Sequence, residues 1–255
     1  MTTQWLATLR IERRYNGPPD SANGGYVCGR MADVIGQSVG QSSSQSANHG
    51  MGNALGVRLY QPPPIDTDME LLFDSVSGKW HLKLGEQLIA AAHTTRVQAH
   101  VPNHTPDYVH ALDAALHFSD HKQHAFPTCF VCGPQRAVND GLRIFAGKLP
   151  ESNLVAAPWL PHAGLADRDN KVKTEFIWAA LDCPGCFASV LPGRTALLGE
   201  LAVHVGRRVH ADEPCVIVGW PILIEGRKHK VGTALFDESG EQCALGVATW
   251  VEVSS

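Results

Sequence analysis

The sequence has few features of membrane, nucleic-acid-binding or disulfide-rich proteins. No apolar run approaches the roughly 18 residues that a membrane-spanning helix requires. Only 21 of the 255 residues are Lys or Arg and the formal net charge is −4, so we expect no broad electropositive surface for nucleic acid. The N-terminal residues lack the basic and apolar regions of a secretory signal. We therefore expect a cytoplasmic protein with no membrane and no nucleic-acid partner.

Seven cysteines cannot all pair in disulfides, because their number is odd. Without an export signal, we interpret them as thiols or metal ligands rather than disulfides. Two Cys-x-x-Cys pairs are present, Cys129 with Cys132 and Cys183 with Cys186. Each pair can supply two of the four ligands of a tetrahedral metal site, so the four residues indicate a structural zinc site. Two alternatives stay open: a site of Cys129, Cys132 and Cys183 with one His, or four ordinary thiols.

The chain divides into two similar halves. A polar connector with one short helical pattern, residues 103–125, separates residues 1–102 from residues 126–255. A Gly-Glu-Gln triplet begins at Gly85 and again at Gly240, and each triplet joins two strand-like runs, which predicts the same β-hairpin in both halves. The Ser/Gln-rich residues 41–48 predict a mobile loop.

Each half has one or two strands, one apolar helix and then four strands. The first half predicts a helix at 23–37 and strands at 6–15, 53–60, 69–74, 79–84 and 87–98. The second predicts a helix at 173–191 and strands at 142–145, 154–157, 197–205, 215–223, 228–236 and 242–253. Helices this apolar must be covered, and an antiparallel sheet around each helix is the simplest cover.

Four segments in this order resemble a known family: residues 15–26, 129–143, 178–184 and 226–250. They are similar to segments of the hotdog-fold acyl-CoA thioesterases, and more narrowly of the double-hotdog members with two repeats in one chain. The resemblance implies an α+β double hotdog in which two antiparallel sheets, joined edge to edge, each wrap around a central helix. It implies hydrolysis of an acyl-CoA thioester by a carboxylate-activated water, or, as an alternative, acyl-CoA or acyl-carrier binding without catalysis. An interaction module around a zinc site is a third hypothesis, and both a monomer and a homodimer fit the sequence.

Asp182 is the carboxylate in an otherwise uncharged stretch, and its burial favours a raised pKa and a role as general base or nucleophile. Alternatively, it caps the turn before Pro184. Asn23, Gly24 and Gly25 begin the first helix, where free N–H groups can bind a carbonyl oxygen. The resemblance implies that this segment polarises the thioester carbonyl; the alternative is that Asn23 only caps the helix.

Several other residues are weaker candidates. Asp33 lies one position from the place that matches Asp182 and is expected to be non-catalytic, and the helix dipole suffices to explain Glu175. The resemblance also implies a Gln and a Thr or Ser on the strands, but Ala248 stands where a Gln is expected, and the candidates by position are Thr94, Thr95, Gln98 and Thr249.

A basic cluster in the second half includes Arg227, Lys228 and Lys230. These side chains could bind the phosphates of coenzyme A. The alternative is that they are the solvated end of a strand.

Overall fold

The computed structural model describes residues 3–38, 54–103, 105–118 and 124–253. The predicted loop at 41–48 lies outside these residues. The helices are α1 (Gly24–Ser38), α2 (Tyr108–Leu116), α3 (Thr174–Ala180) and α4 (Cys183–Ser189). The strands are β1 (Thr3–Arg10), β2 (Ala54–Leu59), β3 (Asp68–Asp74), β4 (Lys79–Leu84), β5 (Gln87–Thr95), β6 (Gly147–Lys148), β7 (Val155–Trp159), β8 (Thr195–Val205), β9 (Cys215–Glu225), β10 (Lys228–Phe236) and β11 (Gln242–Val253).

All of these strands belong to one antiparallel sheet with the order β1-β3-β4-β5-β2-β8-β11-β10-β9-β7-β6. The two halves join where β2 pairs with β8, with Leu55 opposite Val203 and Arg58 opposite Glu200. The expected pair of sheets is therefore one continuous sheet of eleven strands, because β2 and β8 hydrogen-bond to each other instead of ending as open edges.

Both predicted hairpins are present. β4 pairs with β5 across the first Gly-Glu-Gln triplet, and β10 pairs with β11 across the second. The predicted strand at 142–145 is wrong. The N–H groups of Leu142 and Ile144 donate to the carbonyls of Phe130 and Val131, so this apolar segment packs against a cysteine-containing turn and not in the sheet.

Both faces of the second half of the sheet are covered. Helix α4 packs against β9 and β10, and α2, which lies within the predicted connector, packs against β7 and β9. Alternate residues of β9 accordingly enter two different hydrophobic clusters, with Ile217 in one and Val216 in the other. Burial on both faces explains why β9 begins with six consecutive buried residues.

Helix α1 packs against α3, so the two halves also meet through their helices. The larger hydrophobic cluster contains side chains of both, including Val27 and Met31 of α1 and Ile177 of α3. No helix among the described residues is long and apolar enough to cross a membrane.

Candidate active site

The predicted helix at 173–191 is two helices, and the break between them leaves the Leu181 carbonyl without a helical partner. Pro184 lies in the first turn of α4 and has no N–H group to continue α3. The hydroxyl of Thr233, on β10, donates to the Leu181 carbonyl at 2.9 Å and so satisfies one of the groups that the break leaves unpaired. Asp182 is the residue at this break.

Helix α1 begins opposite this break. Asn23 precedes the helix, and its side-chain oxygen accepts from the Tyr26 N–H at 2.9 Å, so Asn23 is an N-cap. Its amide nitrogen donates to Oδ2 of Asp182 at 2.9 Å. Asn23 therefore caps α1 with its side-chain oxygen and contacts Asp182 with its side-chain nitrogen.

The two carboxylate oxygens of Asp182 have different surroundings. Oδ2 accepts from Asn23 and, at 3.0 Å, from the N–H of Gly25. Oδ1 is buried and has no hydrogen-bond partner among the described residues. Burial raises the pKa of Asp182 to about 7; the Gly25 and Asn23 hydrogen bonds lower it, and the nearby Cys129 adds to the rise.

Gly25 is required for this contact. A Cβ atom at this position would lie 2.5 Å from the Cβ of Asp182, closer than two carbon atoms can approach without a shift of the backbone. The N–H of Gly25 donates its hydrogen bond to Asp182 and so is not available to a substrate. The N–H of Gly24 has no acceptor among the described residues, and Gly24 lines a cavity.

The cavity has a volume of about 310 Å³ and joins polar groups to an apolar wall. Asn23, Gly24 and Asp182 are among the residues that line it. Its apolar lining includes Leu59, Phe187, Leu197, Leu198, Trp250 and Val251. An apolar group attached to a polar reacting centre would match this lining.

Three buried thiols lie beside Asp182. The Sγ atoms of Cys129, Cys132 and Cys183 are within 4.8 Å of one another, and those of Cys129 and Cys183 are 3.9 Å apart. Cys186 lines the same cavity but does not belong to this group. Hydrogen bonds from Cys132 and Cys183 hold the pKa of the Cys129 thiol well below its usual value.

The other predicted acids do not line this cavity. Asp33, on α1, accepts from the Gln37 side chain at 2.9 Å. Glu175 is buried in the first turn of α3, and its burial raises its pKa. None of the strand candidates lines the cavity either: Thr94, Thr95, Gln98 and Thr249.

Arg227 and Lys228 are exposed at the turn between β9 and β10. The Arg227 side chain donates to the Glu252 carbonyl at 3.4 Å. Arg194 forms an ion pair with the Glu252 carboxylate at 2.7 Å, and Arg194 lines the cavity. Arg194 and Thr233 are not predicted from the sequence, because an isolated Arg in a loop and a Thr in a strand carry no recognisable motif.

No protein-family model matches the sequence, and no curated protein matches it significantly. Solved structures do match. The tesB protein of Mycobacterium avium subs paratuberculosis is 11% identical over 98% of this chain and 94% of its own, with a TM-score of 0.62. A proposed thioesterase from Novosphingobium aromaticivorans is 10% identical over 97% of this chain and 95% of its own, with a TM-score of 0.61.

A proposed thioesterase II from Thermobifida fusca is 13% identical over 100% of this chain and 98% of its own, with a TM-score of 0.57. A protein of unknown function with a hotdog fold from Alicyclobacillus acidocaldarius is 8% identical over 97% of this chain and 93% of its own, with a TM-score of 0.54. The chain therefore has the fold of these solved structures, which is a hotdog fold.

Proposed function

We propose that this chain hydrolyses the thioester bond of an acyl-CoA, with Asp182 activating the attacking water. The observation that supports this proposal is the environment of the Asp182 carboxylate. Oδ2 is held by Asn23 and Gly25 from the first half, whereas Oδ1 is buried and has no partner among the described residues, and Asp182 lines the cavity. A carboxylate fixed through one oxygen can present the other to a water molecule in a defined orientation.

The N-terminus of α1 supplies the second catalytic element. In the proposed mechanism, the thioester carbonyl oxygen accepts a hydrogen bond from the Gly24 N–H, at the positive end of the helix dipole. The assignment of Gly25 changes from the sequence analysis, because its N–H donates to Asp182. Gly25 and Asn23 are positioning residues in this mechanism, and Gly24 polarises the substrate.

The reaction follows from these contacts. The water oxygen bonds to the carbonyl carbon while one of its protons passes to Oδ1 of Asp182. The tetrahedral intermediate then expels the sulfur of coenzyme A, which takes up the proton from Asp182. The products are the free carboxylic acid and the coenzyme A thiol, and the enzyme returns to its starting state.

The apolar wall of the cavity would hold the acyl chain, and basic side chains near it would hold coenzyme A. Arg194 and Arg227 both contact Glu252, and Lys228 follows Arg227 at the turn. We assign these three cations to the phosphates of coenzyme A. Arg194 is the most direct candidate because it lines the cavity.

A panel of acyl-CoA esters of different chain length, assayed with a thiol-trapping reagent, tests the proposal. We expect coenzyme A release by the wild-type protein to exceed the uncatalysed rate and to depend on chain length. A protein that releases no thiol from any ester, yet melts at a higher temperature when acyl-CoA is added, would be an acyl-CoA binding protein and would contradict the proposal.

A further inference from the structure

The turn that carries the first Cys-x-x-Cys pair is closed by its own backbone. The N–H of Gly133 donates to the Cys129 carbonyl at 2.9 Å. A Cβ atom at position 133 would lie 2.5 Å from that carbonyl oxygen, so the turn requires glycine there. The tight turn brings the thiols of Cys129 and Cys132 into one group with Cys183, the first residue of α4.

The separation of the sulfur atoms matches that of metal ligands. Zinc binds thiolate sulfur at about 2.3 Å, and tetrahedral geometry then places two ligand sulfurs roughly 3.8 Å apart. The Sγ atoms of Cys129 and Cys183 are 3.9 Å apart, and Cys132 lies within 4.8 Å of both. The three sulfurs are therefore close to three corners of a thiolate metal site without any rearrangement of the backbone.

The surroundings of the cluster also favour a cation. Asp182 is adjacent and only 1% exposed. In the described part of the chain, no Lys or Arg side chain forms a hydrogen bond or an ion pair with the three thiols or with Asp182. A metal ion would supply the positive charge that these buried groups lack.

We propose that Cys129, Cys132 and Cys183 bind a zinc-class divalent cation, with Cys186 as the fourth ligand. Cys186 lies one turn beyond Cys183 on α4 and lines the same cavity. Its Sγ atom lies outside the group of three sulfurs, so Cys186 would have to move to complete the site. Thiolate ligands select zinc over harder ions such as magnesium or calcium. The ion would tie the 129–133 turn to the helix that follows Asp182. This proposal does not depend on thioester hydrolysis.

Metal content and cobalt spectroscopy of the full-length protein test the site. We expect wild-type protein, purified under reducing conditions, to carry about one zinc ion per chain. Replacement by Co²⁺ should give the visible absorption of a tetrahedral thiolate complex. Cys129→Ser and Cys183→Ser should each weaken metal binding at least about 100-fold. Cys215→Ser removes a buried thiol outside the cluster and should leave metal binding unchanged.

The fourth ligand has its own test. Cys186→Ser should retain the ion with an affinity lowered by about tenfold and with weaker sulfur-to-cobalt charge-transfer absorption. An unchanged cobalt spectrum in Cys186→Ser would overturn the assignment of this residue. Folded, reduced wild-type protein that takes up less than about 0.2 zinc ions per chain when zinc is offered would overturn the whole site, whatever the variants do.

Discussion

At the scale of single residues, the start of α1 holds the Asp182 carboxylate through hydrogen bonds from Asn23 and Gly25. The sequence indicates Asp182 because it is a lone carboxylate in an apolar stretch, and it indicates Asn23, Gly24 and Gly25 as a helix start. Spacing cannot predict that Asn23 and Asp182 touch, because they are 159 positions apart and meet only when the halves pack. It also cannot tell which glycine N–H is occupied by Asp182 and which is left for a substrate.

Gly25→Ala tests the close approach of α1 to Asp182. The added methyl group would meet the Asp182 side chain at 2.5 Å, so we expect the carboxylate to move and turnover to fall at least about tenfold. The unfolding free energy should drop by about 1 to 3 kcal/mol, as in other overpacked interiors. Steady-state kinetics and urea unfolding measure these effects.

Gly206→Ala is the matched control for this variant. Among the described residues, a Cβ atom at Gly206 would have no neighbour closer than 3.6 Å, so turnover should be unchanged. Equal losses of activity in both alanine variants would contradict the role given to Gly25.

At the scale of elements, hairpins were easier to predict than the helix break. The strand-like runs on either side of each Gly-Glu-Gln triplet predict the β4–β5 and β10–β11 hairpins. This works because the residues that form a turn are neighbours in sequence. Pro184 indicates a kink, but the position of the break at Asp182 also depends on Thr233, a residue on a distant strand that satisfies the Leu181 carbonyl. The strand predicted at 142–145 failed for the same reason, since its partners lie in the Cys129 turn.

The β10–β11 turn gives a prediction about pH and stability. Burial of Asp237 opposes its ionisation, but hydrogen bonds from Ser239, Glu241 and Arg207 lower its pKa to about 2. A carboxyl group whose pKa is lower in the folded than in the unfolded chain stabilises the fold above pH of about 4, and loses that effect as the pH falls towards about 2. Asp237→Asn should therefore cost about 1 to 2 kcal/mol of unfolding free energy at pH 7, and less as the pH falls through this window.

Urea unfolding at several pH values between neutrality and pH of about 3 measures this difference. Asp68→Asn is the control, because Asp68 also pairs with an arginine, Arg10, but both side chains are more than half exposed. Exposed pairs contribute little, so this variant should change stability by less than about 0.5 kcal/mol. A loss in Asp237→Asn that is constant with pH would contradict the role of its charge.

At the scale of the whole molecule, the two halves share a sheet and a core. β2 pairs with β8, α1 packs on α3, and one hydrophobic cluster includes residues of both halves. The repeat and the edge-to-edge joining of the two sheets are predicted from the sequence pattern and the family resemblance. A hydrophobic pattern predicts which face of a strand is buried, but it does not predict which strands of the two halves are neighbours. The pairing of β2 with β8 is therefore known only from the structure.

Unfolding should therefore be a single cooperative transition. Because neither half can lose its helix packing without exposing the shared core, we expect far-ultraviolet circular dichroism and tryptophan fluorescence to report the same urea midpoint. Two separate transitions would mean that the halves are independently stable, which contradicts the shared core.

The most direct test of the central claim is the kcat/KM of Asp182→Asn for the best acyl-CoA substrate. Asn keeps the size of the side chain and removes the basic oxygen, so we predict a fall of roughly 10² to 10⁴ in kcat/KM with unchanged acyl-CoA affinity. Asp33→Asn, on α1, serves as the control and should retain wild-type activity. Activity of Asp182→Asn within about threefold of wild type would show that Asp182 is not the base that activates water in this protein.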